Sequence, residues 1–225
     1  MTLFVNRQFS CYFMKSKKSF PFFLKLASYF YPVTIENSST PYEIELVLSK
    51  NKLILNSKHA NQSNGSLEYA FHECFHHLGI YTKEFNNVLV LGLGLGSVVH
   101  LLNKNGNINQ LTAYENNPQI LAWLEKYYDS SDINIISKSA NEIDTVNAIF
   151  DLILIDLFID TQTPNFLNEI SYWEKLNSIT KPNGLIIWNT LVNYPPQENF
   201  NLNNFFEKGF EVQGMNRMWV KKLTP

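Results

Sequence analysis

The stretch Asn87-Val88-Leu89-Val90-Leu91-Gly92-Leu93-Gly94-Leu95-Gly96-Ser97 constrains the fold more than any other part of this chain. A short apolar run enters a glycine-rich turn, and a helix-like pattern over 97–104 leaves it. A second apolar run, 110–114, then ends in Glu115. A strand, a glycine turn, a helix and a strand tipped by an acid is how a doubly wound α/β domain holds a nucleoside. The glycines admit a ligand close to the backbone, and the acid accepts hydrogen bonds from the ribose hydroxyls. The competing reading is a turn that is merely structural. No Gly-Lys-Ser/Thr follows, so this is not a P-loop, and the last glycine of the hydride-transfer fingerprint is displaced, which weighs against a nicotinamide.

From Val88 onward the pattern alternates. Strands are predicted at 88–91, 110–115, 133–136, 151–157 and 184–190, and helices at 96–104, 117–128, 140–147 and 166–180. Pro118 suits a helix start, and Lys181-Pro182-Asn183-Gly184 a turn before a buried strand. The runs 210–213 and 217–222 suit a closing antiparallel hairpin. Such alternation means an α/β fold, a mostly parallel sheet covered on both faces. Upstream, 42–48 and 53–56 read as a β-hairpin and 66–78 as a helix stopped by Gly79. The expected division is therefore 1–80, an N-terminal helix and hairpin region, and 81–225, the nucleoside-binding domain.

Composition limits the partners. A formal charge of -2 and a pI near 6.2 leave no basic footprint for nucleic acid. The two cysteines, Cys11 and Cys74, make no disulfide framework, and a cytoplasmic location is expected. No apolar run reaches the roughly 20 residues that span a bilayer. The N-terminus is unusual: Met14-Lys15-Ser16-Lys17-Lys18-Ser19-Phe20 could be a second start, and an aromatic stretch follows to Tyr31. It reads as a helix packed on the body, with a membrane-surface or partner-binding helix and a signal peptide as alternatives.

Three further sites carry chemistry. Phe150 to Asp160 is a buried strand with Asp156 at its C-terminal tip and Asp160 beyond. Ligands bind outside the carboxyl ends of such strands, so Asp156 is expected to share a crevice with the glycine turn and Glu115. There it could take a proton from an amine or hold a cationic substrate. Asp151, at the strand start, is expected to be structural. His72-Glu73-Cys74-Phe75-His76 matches the zinc-protease pattern HExxH. It stands before the wrong architecture, so no metal is expected and the helix is assigned to packing over the cofactor site.

The residues 88–97, Ala113-Tyr114-Glu115-Asn116-Asn117-Pro118, 150–156 and Lys181-Pro182-Asn183-Gly184 together resemble the class I AdoMet-dependent methyltransferase fold. More narrowly, the chain resembles the spermidine synthase (aminopropyltransferase) family. Gln62 stands eleven residues before Glu73, the family's spacing between its Gln and the Glu of its Tyr-Gln-Glu motif, and Asp156-Leu157-Phe158-Ile159-Asp160 sits where the family has its Asp-rich loop. The resemblance implies a class I methyltransferase-type, Rossmann-like sheet with a small N-terminal β-hairpin and helix. It implies S-adenosylmethionine (AdoMet) or its decarboxylated form as cofactor. Gly92, Gly94 and Gly96 would form the cofactor turn, Glu115 would hold the ribose, and Gln62 would reach in from the N-terminal side. Asp156, with Asp160, would ready an amine acceptor.

The departures are specific. Leu95 replaces the acid that meets the aminopropyl amine, Phe71 and His72 replace the Tyr and Gln, and Ser139 stands where an acid near the adenine is expected. A buried cation without its partner acid is costly. Methyl transfer from AdoMet to a small, amine-bearing acceptor is therefore the first expectation. Aminopropyl transfer that makes a polyamine is the second, and a non-catalytic nucleoside-binding or interaction protein the third. A homodimer is compatible with all three.

Overall fold

A computed structural model describes residues 15–38, 43–59, 63, 65–105, 107–145, 149–194 and 205–224. The central sheet has seven strands among these residues: β5 (Glu84–Leu91), β6 (Asn107–Tyr114), β8 (Asn134–Ile136), β9 (Phe150–Ile155), β10 (Thr180–Leu191), β11 (Lys208–Val212) and β12 (Asn216–Lys222). Their order is β11-β12-β10-β9-β5-β6-β8. The run β10-β9-β5-β6-β8 is parallel, and β12 and β11 close one edge antiparallel, as the closing hairpin predicted.

The apolar runs of β5 and β9 do not alternate with polar residues because both faces are covered. Val88, Val90, Leu152 and Leu154 join one core cluster, while Leu89, Leu91, Ile153 and Ile155 join the other. Helices α2 (Ser66–His77), α3 (Ser97–Asn105) and α4 (Pro118–Tyr127) send side chains into the first cluster. α5 (Ile170–Ser178) packs Trp173 and Leu176 into the second. Asn117 caps α4, its side-chain oxygen accepting from the N–H groups of Gln119 and Ile120 at 2.9 and 3.3 Å, and Pro118 opens the helix.

From β5 the chain moves to β6 and β8 on one side, then returns to β9 on the other. The carboxyl ends of β5 and β9 are thus the point where the strand order reverses, the place where open α/β sheets bind ligands. Gly92 follows β5 there. It has φ +87°, and a Cβ on it would lie 2.1 Å from the Asp156 carbonyl oxygen. Only glycine lets the two strand ends meet so closely.

Several elements differ from expectation. The hairpin of β3 (Ile44–Ser49) and β4 (Lys52–Ser57) gains a third strand, β2 (Val33–Ser38). Glu36 on β2 accepts from Trp123 Nε1 at 2.9 Å and Lys126 Nζ at 2.5 Å, and also from the Tyr127 hydroxyl, so the small sheet is clamped to α4. A two-residue strand, β1 (Lys15–Ser16), pairs with β7 (Tyr128–Asp129). The helix expected at 140–147 is a 3-10 turn, Ala140–Thr145. That at 166–180 splits at Glu169, whose extended backbone separates a 3-10 turn after Pro164 from α5. The turn at 181–184 lies within β10 as an irregularity between Thr180 and Leu185, with Asn183 at φ +63°. The N-terminal helix is short, α1 (Phe22–Ala27), with no buried residue of its own. Among the described residues no helix is long and apolar enough to cross a membrane.

Candidate active site

The strand ends open into a cavity of about 360 Å3. Gly92, Gly94, Glu115, Ser139, Asp156 and Asp160 all line it. Six of the eight candidate cofactor and catalytic positions are thereby brought together. Gly96 lies on the far side of the turn, beside a second cavity, and Gln62 is outside the described residues.

Glu115 follows β6 directly and is buried. Its Oε2 accepts the Gly94 N–H at 3.0 Å and its Oε1 the Asn117 N–H at 2.9 Å. The acid therefore holds the glycine turn and the start of α4 at once. Burial pushes its pKa above the usual carboxylate range, and the backbone N–H groups of Asn117, Gly94 and Asn116 pull against that rise.

Asp156 sits one residue beyond β9, its N–H donating to the Leu91 carbonyl at 2.8 Å. Burial raises its carboxyl pKa to about 7, against the lowering effect of a hydrogen bond from Asn189. Asn189 Nδ2 donates to Asp156 Oδ1 at 2.9 Å, and Asn216 Nδ2 donates to Asn189 Oδ1 at 3.0 Å. Both asparagines are buried, so two amides from β10 and β12 fix the orientation of one carboxyl group. A carboxyl group that titrates near neutrality and faces a cavity can exchange a proton with a bound molecule at working pH.

Asp160 is held differently. Its Oδ1 accepts from Ser57 Oγ at 2.7 Å and the His59 N–H at 2.9 Å, and its Oδ2 lies 2.7 Å from His59 Nδ1. Partial burial tends to raise its pKa, but these bonds hold it below the ordinary carboxylate range. Its backbone is left-handed, φ +57°. Asp160 thus latches the loop after β9 to the end of β4, while its carboxylate remains on the cavity wall. Ser139 carries no acid; its N–H donates to Glu142 Oε1 at 3.2 Å.

The sequence reading missed Asn189 and Asn216. The signal available was Asn189 itself, a polar residue near the carboxyl end of a predicted buried strand. It also missed Glu43 and Lys58 on the cavity wall, which come from the small sheet's rim. Leu95 is buried in the core and borders the second cavity, not the one that Gly92 and Gly94 line. Asp151 is structural: it accepts the Asn87 N–H at 2.7 Å and pairs with Lys181 Nζ at 2.8 Å. The helix carrying HExxH was expected to pack over the cofactor site, but none of its residues lines the cavity at the strand ends. α2 packs against α3 and β12 because Leu67, Ala70, Phe71, Cys74 and Phe75 form its buried face. His72 lies 2.8 Å from the Tyr81 hydroxyl, and His76 is exposed. Among the described residues no group of three metal-ligating side chains gathers anywhere.

No protein-family model and no curated protein matches the sequence. Solved structures do match. Spermidine synthase from Thermotoga maritima aligns over 84% of this chain and 72% of its own, at TM-score 0.62 and 14% identity. A probable spermidine synthase from Corynebacterium glutamicum aligns over 84% and 79%, at TM-score 0.63 and 14% identity. Human methyltransferase-like protein 13, solved with SAH, aligns over 71% and 80%, at TM-score 0.52 and 18% identity. The fold is the class I methyltransferase fold. Its mostly parallel sheet, strand-order reversal and glycine turn all have their counterparts in the predicted pattern. The class I methyltransferase fold hosts many reactions, so the chemistry has to be argued from the cavity.

Proposed function

We propose that this protein is a transferase that binds AdoMet, or a related sulfonium nucleoside, in the cavity between Gly92, Glu115, Ser139 and Asp156. The volume, about 360 Å3, suits a small-molecule cavity. Glu115 at the tip of β6 offers the carboxylate that ribose hydroxyls require, and Ile120 and Ala140 offer apolar wall to a base. These residues fit the group: Gly92 and Gly94 would face its tail, Glu115 its sugar and Ser139 its base. A sulfonium bound there supplies an activated leaving group and needs no further activation.

The chain's own residues then have two tasks. Asn189 and Asn216 hold Asp156 in one orientation, and the raised pKa of Asp156 lets its carboxylate accept a proton from an ammonium acceptor near pH 7. With both substrates bound, the apolar part of the wall, Leu157, Phe158 and Phe166, would exclude water and keep the nucleophile aligned. The single observation that carries this reading is the titratable Asp156 facing the same cavity as Glu115. Methyl transfer to an amine-bearing acceptor is the first reading, because the glycine turn brings only Gly92 and Gly94 to this cavity and no acid that would hold an aminopropyl ammonium there. Aminopropyl transfer is the second reading, favoured by the greater extent of the match to spermidine synthases, 84% of this chain.

The test is a transfer assay with AdoMet and decarboxylated AdoMet over a panel of small amines. Product from AdoMet that disappears in Asp156→Asn supports methyl transfer. Product only from the decarboxylated form supports the second reading. An unchanged rate in Asp156→Asn sinks the assigned role of Asp156 in either.

A further inference from the structure

The first 35 residues contain five Lys or Arg and no Asp or Glu, whereas the rest of the chain has thirteen basic and twenty acidic residues. The net charge near zero therefore hides a cationic end on an anionic body. Among the described residues, half of the exposed large apolar side chains lie in the ten residues 22–31. Phe22, Phe23 and Phe30 are 79, 67 and 78% exposed, and Leu26, Tyr29 and Tyr31 lie exposed beside them. Exposed aromatic residues concentrated in one short segment mark an interaction surface.

The segment is seated on the body. Phe20 stacks on Tyr127, and Leu24 packs against the core. Buried Ser28 accepts the Lys50 N–H through its carbonyl at 2.7 Å and the Asn51 N–H through its hydroxyl at 3.0 Å. The aromatic ridge is thus held outward by its own anchors. Lys17, Lys18 and Lys25 flank it. Lys17 donates to a backbone carbonyl, Lys25 to the Ser19 hydroxyl, and Lys18 lies over the Tyr127 ring. None of the three pairs with a carboxylate among the described residues. They line a cavity of about 520 Å3 at the foot of the ridge.

We infer that this ridge docks on an anionic membrane surface, its aromatic rings at the headgroup level and Lys17, Lys18 and Lys25 against lipid phosphates. Exposed aromatic rings and basic side chains within one short segment that carries no acid are the chemistry of such a surface. A second copy of the chain fits less well, because a symmetric contact would set these lysines against themselves.

The test is vesicle flotation of the full chain. Vesicles of phosphatidylcholine mixed with phosphatidylglycerol are compared with phosphatidylcholine alone. The expected result is binding to the anionic vesicles only, weakened by salt. The triple variant Lys17→Gln/Lys18→Gln/Lys25→Gln should weaken it about tenfold or more. Phe22→Ser/Phe23→Ser/Phe30→Ser should abolish it, with the near-UV circular dichroism of both variants unchanged because the altered side chains are exposed or, at Lys25, half-buried. Equal binding to neutral vesicles, no binding, or binding indifferent to both triples would overturn the inference. So would self-association in sedimentation equilibrium that the phenylalanine triple removes while vesicles are ignored.

Discussion

Replacing Asp156 by asparagine should stabilise the protein while removing its activity. The carboxyl pKa stands at about 7 in the folded chain against 3.8 as a free side chain. A raised carboxyl pKa means the native state resists the charge, so its cost is absent below the unfolded pKa and complete once the pH exceeds the folded one. At about 1.4 kcal/mol per pH unit, the shift corresponds to roughly 4 kcal/mol of native-state strain at pH 8. The open cavity lets water relieve part of it, leaving about 2–4 kcal/mol. The amide is isosteric and its oxygen still accepts from Asn189 Nδ2, so little else changes. Thermal unfolding followed at pH 8 should show a gain on the order of 5–10 °C for Asp156→Asn. At pH 4.5 most of that gain should vanish. A variant no more stable than wild type at pH 8, or a gain equal at both pH values, would refute the account of a strained, titratable acid.

Other perturbations separate binding from architecture. Gly92→Ala combines a left-handed backbone with a Cβ 2.1 Å from the Asp156 carbonyl oxygen, and should cost about 2–4 kcal/mol in urea unfolding together with ligand binding. Asp160→Ala removes the bonds to Ser57 and His59 and should cost about 1–3 kcal/mol near neutral pH. Because the folded pKa of Asp160 is lowered, that difference should persist above the ordinary carboxylate range. It should be lost as the pH falls through the lowered value, as paired acid titrations of both proteins would show. Ser139→Asp offers the adenine amine an acceptor and should tighten nucleoside binding by about tenfold in calorimetry.

The sequence announced the sheet because its burial pattern is simple. Val88–Leu91 and Ile153–Ile155 are covered on both faces, so uninterrupted apolar runs marked them. The glycine turn was legible for a partly different reason from the one first assigned: at Gly92 the missing Cβ makes room for the Asp156 backbone, so the glycine serves strand approach as well as ligand access. What stayed hidden depends on contacts between distant segments. β2 ends in the polar run Glu36-Asn37-Ser38, and its pairing with β3 makes it a strand. The amide chain from Asn216 through Asn189 to Asp156 joins three strands through side chains, and no local pattern encodes it. The split at Glu169 is one residue's backbone choice inside an otherwise helical stretch.

The central claim is that the cavity bordered by Gly92, Glu115 and Asp156 holds a sulfonium nucleoside. Calorimetric titration of the folded protein with AdoMet, and separately with decarboxylated AdoMet, tests it most directly. Saturable binding of one of them, with the affinity lost in Glu115→Ala while the melting transition of that variant remains cooperative, is the expected result. Binding of neither compound by a cooperatively folded wild-type protein would contradict it.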